Sequence, residues 1–172
     1  TYSEEFDNAA WTTTNATITA NTSVAPDGTL SADILTATAT SNVSVRNSTA
    51  IVIPAGTYAV SCYVEKNKNF TLAFTGNSSG AGINFDGTTG AFVSNTSVGS
   101  GYFIDSYSIV SYENYWKASV VCTTTDSGGK YAVVGINNSS GTTWRTGWDA
   151  VIGDTLVVWG AHLYRSDLGG MV

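Results

Sequence analysis

Few residues in this chain have the types and spacing that catalysis needs. His162 is the only histidine, and no nucleophile-elbow pattern accompanies it, so a Ser-His-Asp triad is not predicted. One histidine and two cysteines do not give the ligand spacing of a zinc site. A glycosidase needs two carboxyl groups roughly 5–10 Å apart, and no motif pairs any of the thirteen acidic residues. We therefore expect no catalytic residue, no metal ligand and no enzymatic activity, and we expect His162 to be a packed structural side chain.

Aromatic side chains are the better candidates for ligand binding, since the chain has five Trp, nine Tyr and six Phe. The flat C–H face of a sugar ring stacks on an aromatic ring while polar neighbours bind its hydroxyls. Two aromatic-rich segments, one near residues 144–149 and one near residues 102–115, predict such a site. The predicted carbohydrate-binding residues are Trp144, Arg145, Trp148, Asp149, Tyr107 and Tyr112. The alternative, that these rings fill the core or a subunit contact, stays open. For Trp116 and Trp159, which lie in strand patterns, we expect a core position.

Charge excludes two classes of partner. Charged residues make up 12% of the chain and the net charge is -6, with a sequence pI near 4.4. The seven basic residues are scattered, whereas a nucleic-acid surface needs clustered Lys and Arg. An anionic membrane is disfavoured for the same reason, and no apolar run approaches the ~20 residues that span a bilayer. A polar surface with little charge favours an extracellular module or a packed assembly.

Alternating apolar and polar residues, separated by Gly, Asn and Asp turns, predict an all-β chain. We expect one domain over residues 1–172, built as a two-sheet antiparallel sandwich. The predicted strands are 42–53, 57–64, 70–75, 103–111, 116–124, 130–136 and 155–164. We expect a long loop at 94–101, and the segment 4–11 is open to a helical turn. The predicted inner faces comprise Tyr58, Val60, Cys62, Val64, Ala118, Val120, Val133 and Val157.

The two cysteines, Cys62 and Cys122, both fall on inward faces of predicted strands. A disulfide between them would indicate an oxidising environment, and two buried free thiols would behave as small hydrophobic residues. Sequence does not supply the Cα separation that decides between them. We favour two reduced thiols, because folding in a reducing cytoplasm would delay the bond.

Five stretches, taken in order, resemble one known family. They are 2–11 (YSEEFDNAAW), 26–33 (PDGTLSAD), 52–66 (VIPAGTYAVSCYVEK), 114–125 (NYWKASVVCTTT) and 157–170 (VVWGAHLYRSDLGG). Together they resemble the jelly-roll carbohydrate-binding-like domain of bacteriophage virion proteins. The resemblance implies a noncatalytic domain of a tail fibre, tail spike or capsid surface. It also implies a longer parent chain, other virion proteins and a homotrimer as partners, and binding of surface polysaccharide outside the cell.

Two other functions stay open beside polysaccharide binding. One is a structural fibre or capsid decoration protein that packs in an oligomer. The other is a secreted adhesin, or an accessory module of a polysaccharide-degrading enzyme. No cofactor is expected, although a structural calcium stays open by analogy with jelly-roll binding modules.

Overall fold

We describe residues 3–76, 78–138 and 148–166 of a computed structural model, without the side chain of Ser97. In chain order the described strands are β1 (Trp11–Thr14), β2 (Ala16–Val24), β3 (Leu30–Ala37), β4 (Ser44–Asn47), β5 (Ile51–Ile53), β6 (Gly56–Glu65), β7 (Phe70–Thr75), β8 (Gly80–Phe85), β9 (Phe92–Val98), β10 (Tyr102–Tyr112), β11 (Tyr115–Thr124), β12 (Gly128–Ile136) and β13 (Thr155–Arg165). Within this described part of the chain, no helix is long and apolar enough to cross a membrane.

The strands form two antiparallel sheets, which confirms the predicted all-β sandwich. Among the described residues, one sheet has seven strands in the order β1-β4-β12-β7-β8-β9, with β5 also paired to β12. The other has six strands in the order β10-β11-β6-β13-β3-β2. The chain crosses between the sheets at β1–β2, β3–β4, β5–β6, β6–β7, β9–β10, β11–β12 and β12–β13. Residues distant in sequence therefore line each face.

The core lies between the two sheets and is built from alternate residues of each strand. Tyr58, Val60, Cys62, Val64, Ala118 and Val120 all face it, as predicted. The expectation is wrong for two residues: Val133 and Val157 belong to separate clusters on the outer faces. Their neighbours in sequence, such as Val134 and Leu156, occupy the core instead. Because side chains alternate with period 2, an error of one residue in register moves a strand's apolar set to the other face.

Three segments differ from their predicted structure. The segment 94–101, which was expected to be a loop, contains most of β9, and β9 pairs with β8 along its length. Its residues are mainly Ser, Asn and Thr, yet Thr96 is fully buried and Ser94 Oγ accepts a hydrogen bond of 2.7 Å from Asn84 Nδ2. The predicted 42–53 strand is divided into β4 and β5, which pair in succession with β12. The N-terminal segment forms turns with hydrogen bonds from Asn8 to Glu5 and from Trp11 to Asn8, and no helix.

Register keeps the two cysteines apart. Cys62 lies opposite Ala118 on the neighbouring strand, whereas Cys122 lies opposite Tyr58. Four residues of strand separate these positions by about 14 Å, while a disulfide needs Cα atoms within about 7 Å. Both are buried free thiols, which agrees with the preferred prediction. Burial raises the pKa of each thiol to about 12.

Candidate functional site

The outer face of the six-stranded sheet is shaped by a bulge in β13. Trp159 lies opposite Tyr63, and the next paired residue, His162, lies opposite Ser61. Gly160 and Ala161 therefore face a single residue of β6, and Gly160 has a left-handed φ of 61°. Such a bulge adds one residue to the strand and reverses the alternation beyond it. As a result His162 projects from the same outer face as Trp159.

Two cross-strand rows of side chains cover this face. The first row comprises Val110, Lys117, Tyr63 and Trp159. The second row comprises Ser108, Ser119, Ser61 and His162. Adjacent strands lie about 4.8 Å apart, so each row extends about 14 Å across the sheet. A line of three hydroxyls ending in an imidazole thus lies beside a line ending in two aromatic rings.

These rows form a groove with a volume of about 540 Å³, which we call the outer-face groove. It is lined by Ser61, Tyr63, Ser108, Val110, Lys117, Ser119, Trp159, Gly160, His162 and Tyr164. Hydroxyl groups beside aromatic rings are the combination that binds a sugar ring by stacking and hydrogen bonding.

The aromatic end of the groove is held in place by packing. The ring of Tyr63 contacts Trp159 edge-on at 5.5 Å between centroids and Tyr112 at 5.9 Å. Trp159 Nε1 donates a hydrogen bond of 3.1 Å to Ser31 Oγ. The hydroxyl of Tyr115 donates a hydrogen bond of 2.7 Å to the carbonyl of Val24. This bond connects the last residue of β2 to β11. Because neighbouring rings restrict Tyr63, little side-chain entropy remains for a ligand to remove.

Lys117 and His162 set the electrostatics of the groove. The Lys117 ammonium lies 5.5 Å from the centre of the Tyr63 ring. Burial lowers the pKa of His162 below its ordinary value; Glu4 opposes this shift and Lys117 adds to it. His162 is therefore neutral at pH 7, with one ring nitrogen as a donor and the other as an acceptor.

The sequence-predicted site residues lie in separate places. Tyr112 is 44% exposed and contacts Tyr63 beside the groove. Tyr107 is 45% exposed, but it lies at the edge of the sandwich, stacked on Phe92 at 5.5 Å. Trp144 and Arg145 lie outside the described residues.

Trp148 and Asp149 lie far from the groove in the fold. Trp148 has no exposed surface and packs with Ala73 and Val133 on the outer face of the seven-stranded sheet. The expectation of an accessible Trp148 ring is thus wrong. Gly135 makes room for it, since a Cβ there would lie 3.1 Å from the indole. Asp149 is exposed, and its backbone forms an isolated antiparallel β-bridge with Ser41.

Sequence reasoning missed most of the groove. Trp159 was expected in the core and His162 as a structural residue, yet both line the groove. Trp159 is half-buried and also packs on the outer-face cluster that contains Val157. Gly160 in the middle of an aromatic-rich strand was the signal available in the sequence, because glycine inside a strand often marks a bulge.

The residues described do not fit a calcium site. They contain no group of three or more His, Cys, Asp or Glu side chains that could hold a metal ion. The turn carboxylates bond within their own turns: Asp27 accepts from Thr29, Asp86 from the amides of Thr88 and Thr89, and Asp126 from Thr124. These bonds lower the pKa values of all three carboxyls.

Comparison with known proteins finds similarity only among solved structures. No family model matches the chain, and no curated protein matches it. Among solved structures, the chain is similar to the carbohydrate-binding module TmCBM61 in complex with beta-1,4-galactotriose. The identity is 16%, the TM-score is 0.45, and 94% of each chain is covered. Nothing in these comparisons supports a bacteriophage origin.

Proposed function

We propose that this chain is a noncatalytic glycan-binding domain that holds a saccharide in the outer-face groove. The observation that carries the proposal is the pair of cross-strand rows, with Tyr63 and Trp159 in edge-on contact beside three serines. Two aromatic rings held in edge-on contact offer apolar surface to the C–H face of a sugar. The serine hydroxyls both donate and accept, so they match sugar hydroxyls of either orientation.

The shape of the groove favours an internal stretch of a glycan chain. The rows extend about 14 Å across four strands, and the groove lies on a sheet face instead of in an enclosed cavity. Ser108 and Val110 come from β10, an edge strand that within the described residues pairs only with β11. The groove therefore reaches the edge of the sheet, where a polysaccharide chain can continue beyond it.

Affinity electrophoresis through gels that contain one polysaccharide each tests the proposal. Suitable gels contain galactan, xylan, mixed-linkage glucan, galactomannan, hyaluronan or bacterial O-antigen. We expect retardation in at least one gel, with no release of reducing ends. Trp159→Ala should weaken binding by about 1–2 kcal/mol, in line with aromatic contacts.

Two further variants make this experiment decisive. Phe103→Ala is the matched control, because Phe103 is 56% exposed and lies outside the groove lining. Tyr164→Ala removes a groove ring that belongs to none of the buried clusters, in case Trp159→Ala unfolds the domain. Binding that survives both groove substitutions, or is lost equally in Phe103→Ala, would contradict the proposed site.

A structural role is the second candidate. Strand β10 carries exposed apolar side chains along its length, including Phe103, Tyr107 and Val110. Exposed apolar residues on an edge strand favour pairing with another chain, although β10 also contains the exposed Asp105, a charge of the kind that opposes such pairing. The apolar residues support packing in an oligomer, which light scattering tests: a stable trimer that binds no glycan would favour the structural function.

The virion setting and the binding roles of Trp144 and Arg145 stay predictions of the sequence. Attachment to a bacteriophage particle is tested by antibody labelling of virions from the source genome. A contribution of Trp144 and Arg145 to glycan binding is tested by their alanine variants in the same gels, with Trp159→Ala as reference.

A further inference from the structure

The outer-face groove contains a cation, Lys117, that forms no salt bridge with any of the described residues. The one salt bridge among those residues joins Lys130 to Asp126. Lys66, by comparison, donates to Ser111 Oγ and to the carbonyl of Glu113. The ammonium of Lys117 lies over the ring of Tyr63, 5.5 Å from its centre.

The lining of the groove carries no carboxylate. Its ten described residues include one charged side chain, Lys117, and the neutral His162. Glu4 lies outside this lining but acts electrostatically on His162. Glu65 shares the outer face, but it lies opposite Tyr115, one row farther from the serines. In a protein of net charge -6, the described residues that line the groove thus carry a net positive charge. A uniformly acidic surface repels anions, and a groove of opposite sign focuses them.

We propose that the saccharide bound in the outer-face groove is anionic, with a carboxylate or sulfate placed at Lys117. This inference rests on the proposed glycan-binding function and specifies its ligand class. The serine row binds sugar hydroxyls and the Tyr63–Trp159 pair stacks on a ring face. Lys117, in the same row as these two aromatic residues, reaches the charged substituent of that ring or of its neighbour.

The test measures binding of acidic polysaccharides against their neutralised forms. The probes are polygalacturonate, alginate and hyaluronan, each beside its carboxyl-reduced product, and chondroitin sulfate beside its desulfated product. We expect at least one acidic probe to bind and its neutral counterpart to bind about tenfold more weakly, because a charge-assisted hydrogen bond is lost. Binding of the acidic probe should also weaken as salt rises, and binding of a neutral probe should not.

Lys117→Gln is the decisive variant and Lys68→Gln its matched control. Both remove one positive charge, but Lys68 lies outside the groove lining. Lys117→Gln should lower affinity for the acidic probe about tenfold and remove most of its salt dependence. Lys68→Gln should leave both unchanged.

Each remaining outcome overturns a definite part of the reasoning. If only neutral polysaccharides bind and Trp159→Ala abolishes that binding, the anionic ligand is refuted while the glycan-binding function stands. If acidic probes bind equally well to Lys117→Gln, or lose the same affinity in Lys68→Gln, the role of Lys117 is refuted. If neither acidic nor neutral polysaccharides bind, the proposed function falls together with this inference.

Discussion

The bulge at Gly160 gives a specific prediction. Replacing Gly160 by alanine adds one methyl group, which strains the left-handed backbone and also displaces Tyr63 in the groove. Gly160 has a φ of 61°, and a Cβ added there would lie 3.3 Å from Cδ2 of Tyr63. Gly28 provides the comparison: its φ is 86°, and a Cβ there meets nothing within 4 Å. Gly28→Ala therefore measures the backbone effect alone, and Gly160→Ala measures the backbone effect plus displacement of Tyr63.

The expected losses of stability follow from the positive φ of both glycines and from the contact with Tyr63 that only Gly160 makes. A left-handed conformation costs a residue other than glycine roughly 1–2 kcal/mol. Alanine also lowers the conformational entropy of the unfolded chain, which stabilises the folded protein by about 0.4–1 kcal/mol. We expect Gly28→Ala to lower the free energy of unfolding by about 1 kcal/mol. Crowding of Tyr63, which is held between Trp159 and Tyr112, adds about 1 kcal/mol for Gly160→Ala. For a chain of this length, about 2 kcal/mol lowers Tm by about 4–8 °C.

Urea unfolding followed by tryptophan fluorescence measures both variants, and affinity electrophoresis measures their glycan binding. Gly160→Ala should be the less stable variant and should bind glycan more weakly, whereas Gly28→Ala should bind as the unchanged protein does. Gly160→Asn should recover part of the stability, since asparagine tolerates a left-handed φ. Equal stability of the two alanine variants, or normal binding by Gly160→Ala, would refute the contact between the bulge and Tyr63.

Three further predictions concern buried groups. Trp148→Ala should lower the free energy of unfolding by about 3–5 kcal/mol without changing the glycan affinity of the folded protein. Urea unfolding and affinity electrophoresis measure the two effects. A loss of glycan binding without a loss of stability would contradict the burial of Trp148. Alkylation followed by mass spectrometry should label no cysteine in the native protein and both Cys62 and Cys122 in denaturant without reductant; no label in denaturant would indicate a disulfide. The lowered pKa of His162 means that the unfolded chain binds more protons as pH falls through about 6.5, so stability should decrease there. His162→Gln should flatten this decrease in urea midpoints measured from about pH 7.5 to about pH 5, and an unchanged profile would count against the shift.

Local sequence was sufficient for the strands whose side chains alternate strongly. The run 57–64 predicted nearly all of β6, and 70–75 coincides with β7. β-Branched and aromatic residues at period 2, bounded by Gly, Asn and Asp, specify such strands without reference to the rest of the chain. Polar β9 was missed, because its burial comes from pairing with β8 and from the hydrogen bond between Asn84 and Ser94.

The binding residues proposed from the sequence show what composition leaves undetermined. Trp148 and Tyr112 are both aromatic and both flanked by polar residues, yet one is buried and the other is 44% exposed. Burial depends on which strand packs over a ring, and those strands are distant in sequence. Composition therefore indicated an aromatic binding domain without indicating which rings are accessible.

The sequence by itself determined the all-β class, the inward direction of both cysteines and the scarcity of catalytic groups. Only the tertiary structure decided the site. Counting by twos along the last strand puts Trp159 and His162 on opposite faces, and the bulge at Gly160 puts them on the same face. The serine row likewise joins residues from β10, β11 and β6 through register between strands. Between strands that are distant in sequence, such as β6, β11 and β13, register depends on the packing of the whole sheet. The residues of one strand alone therefore do not show which side chains lie side by side.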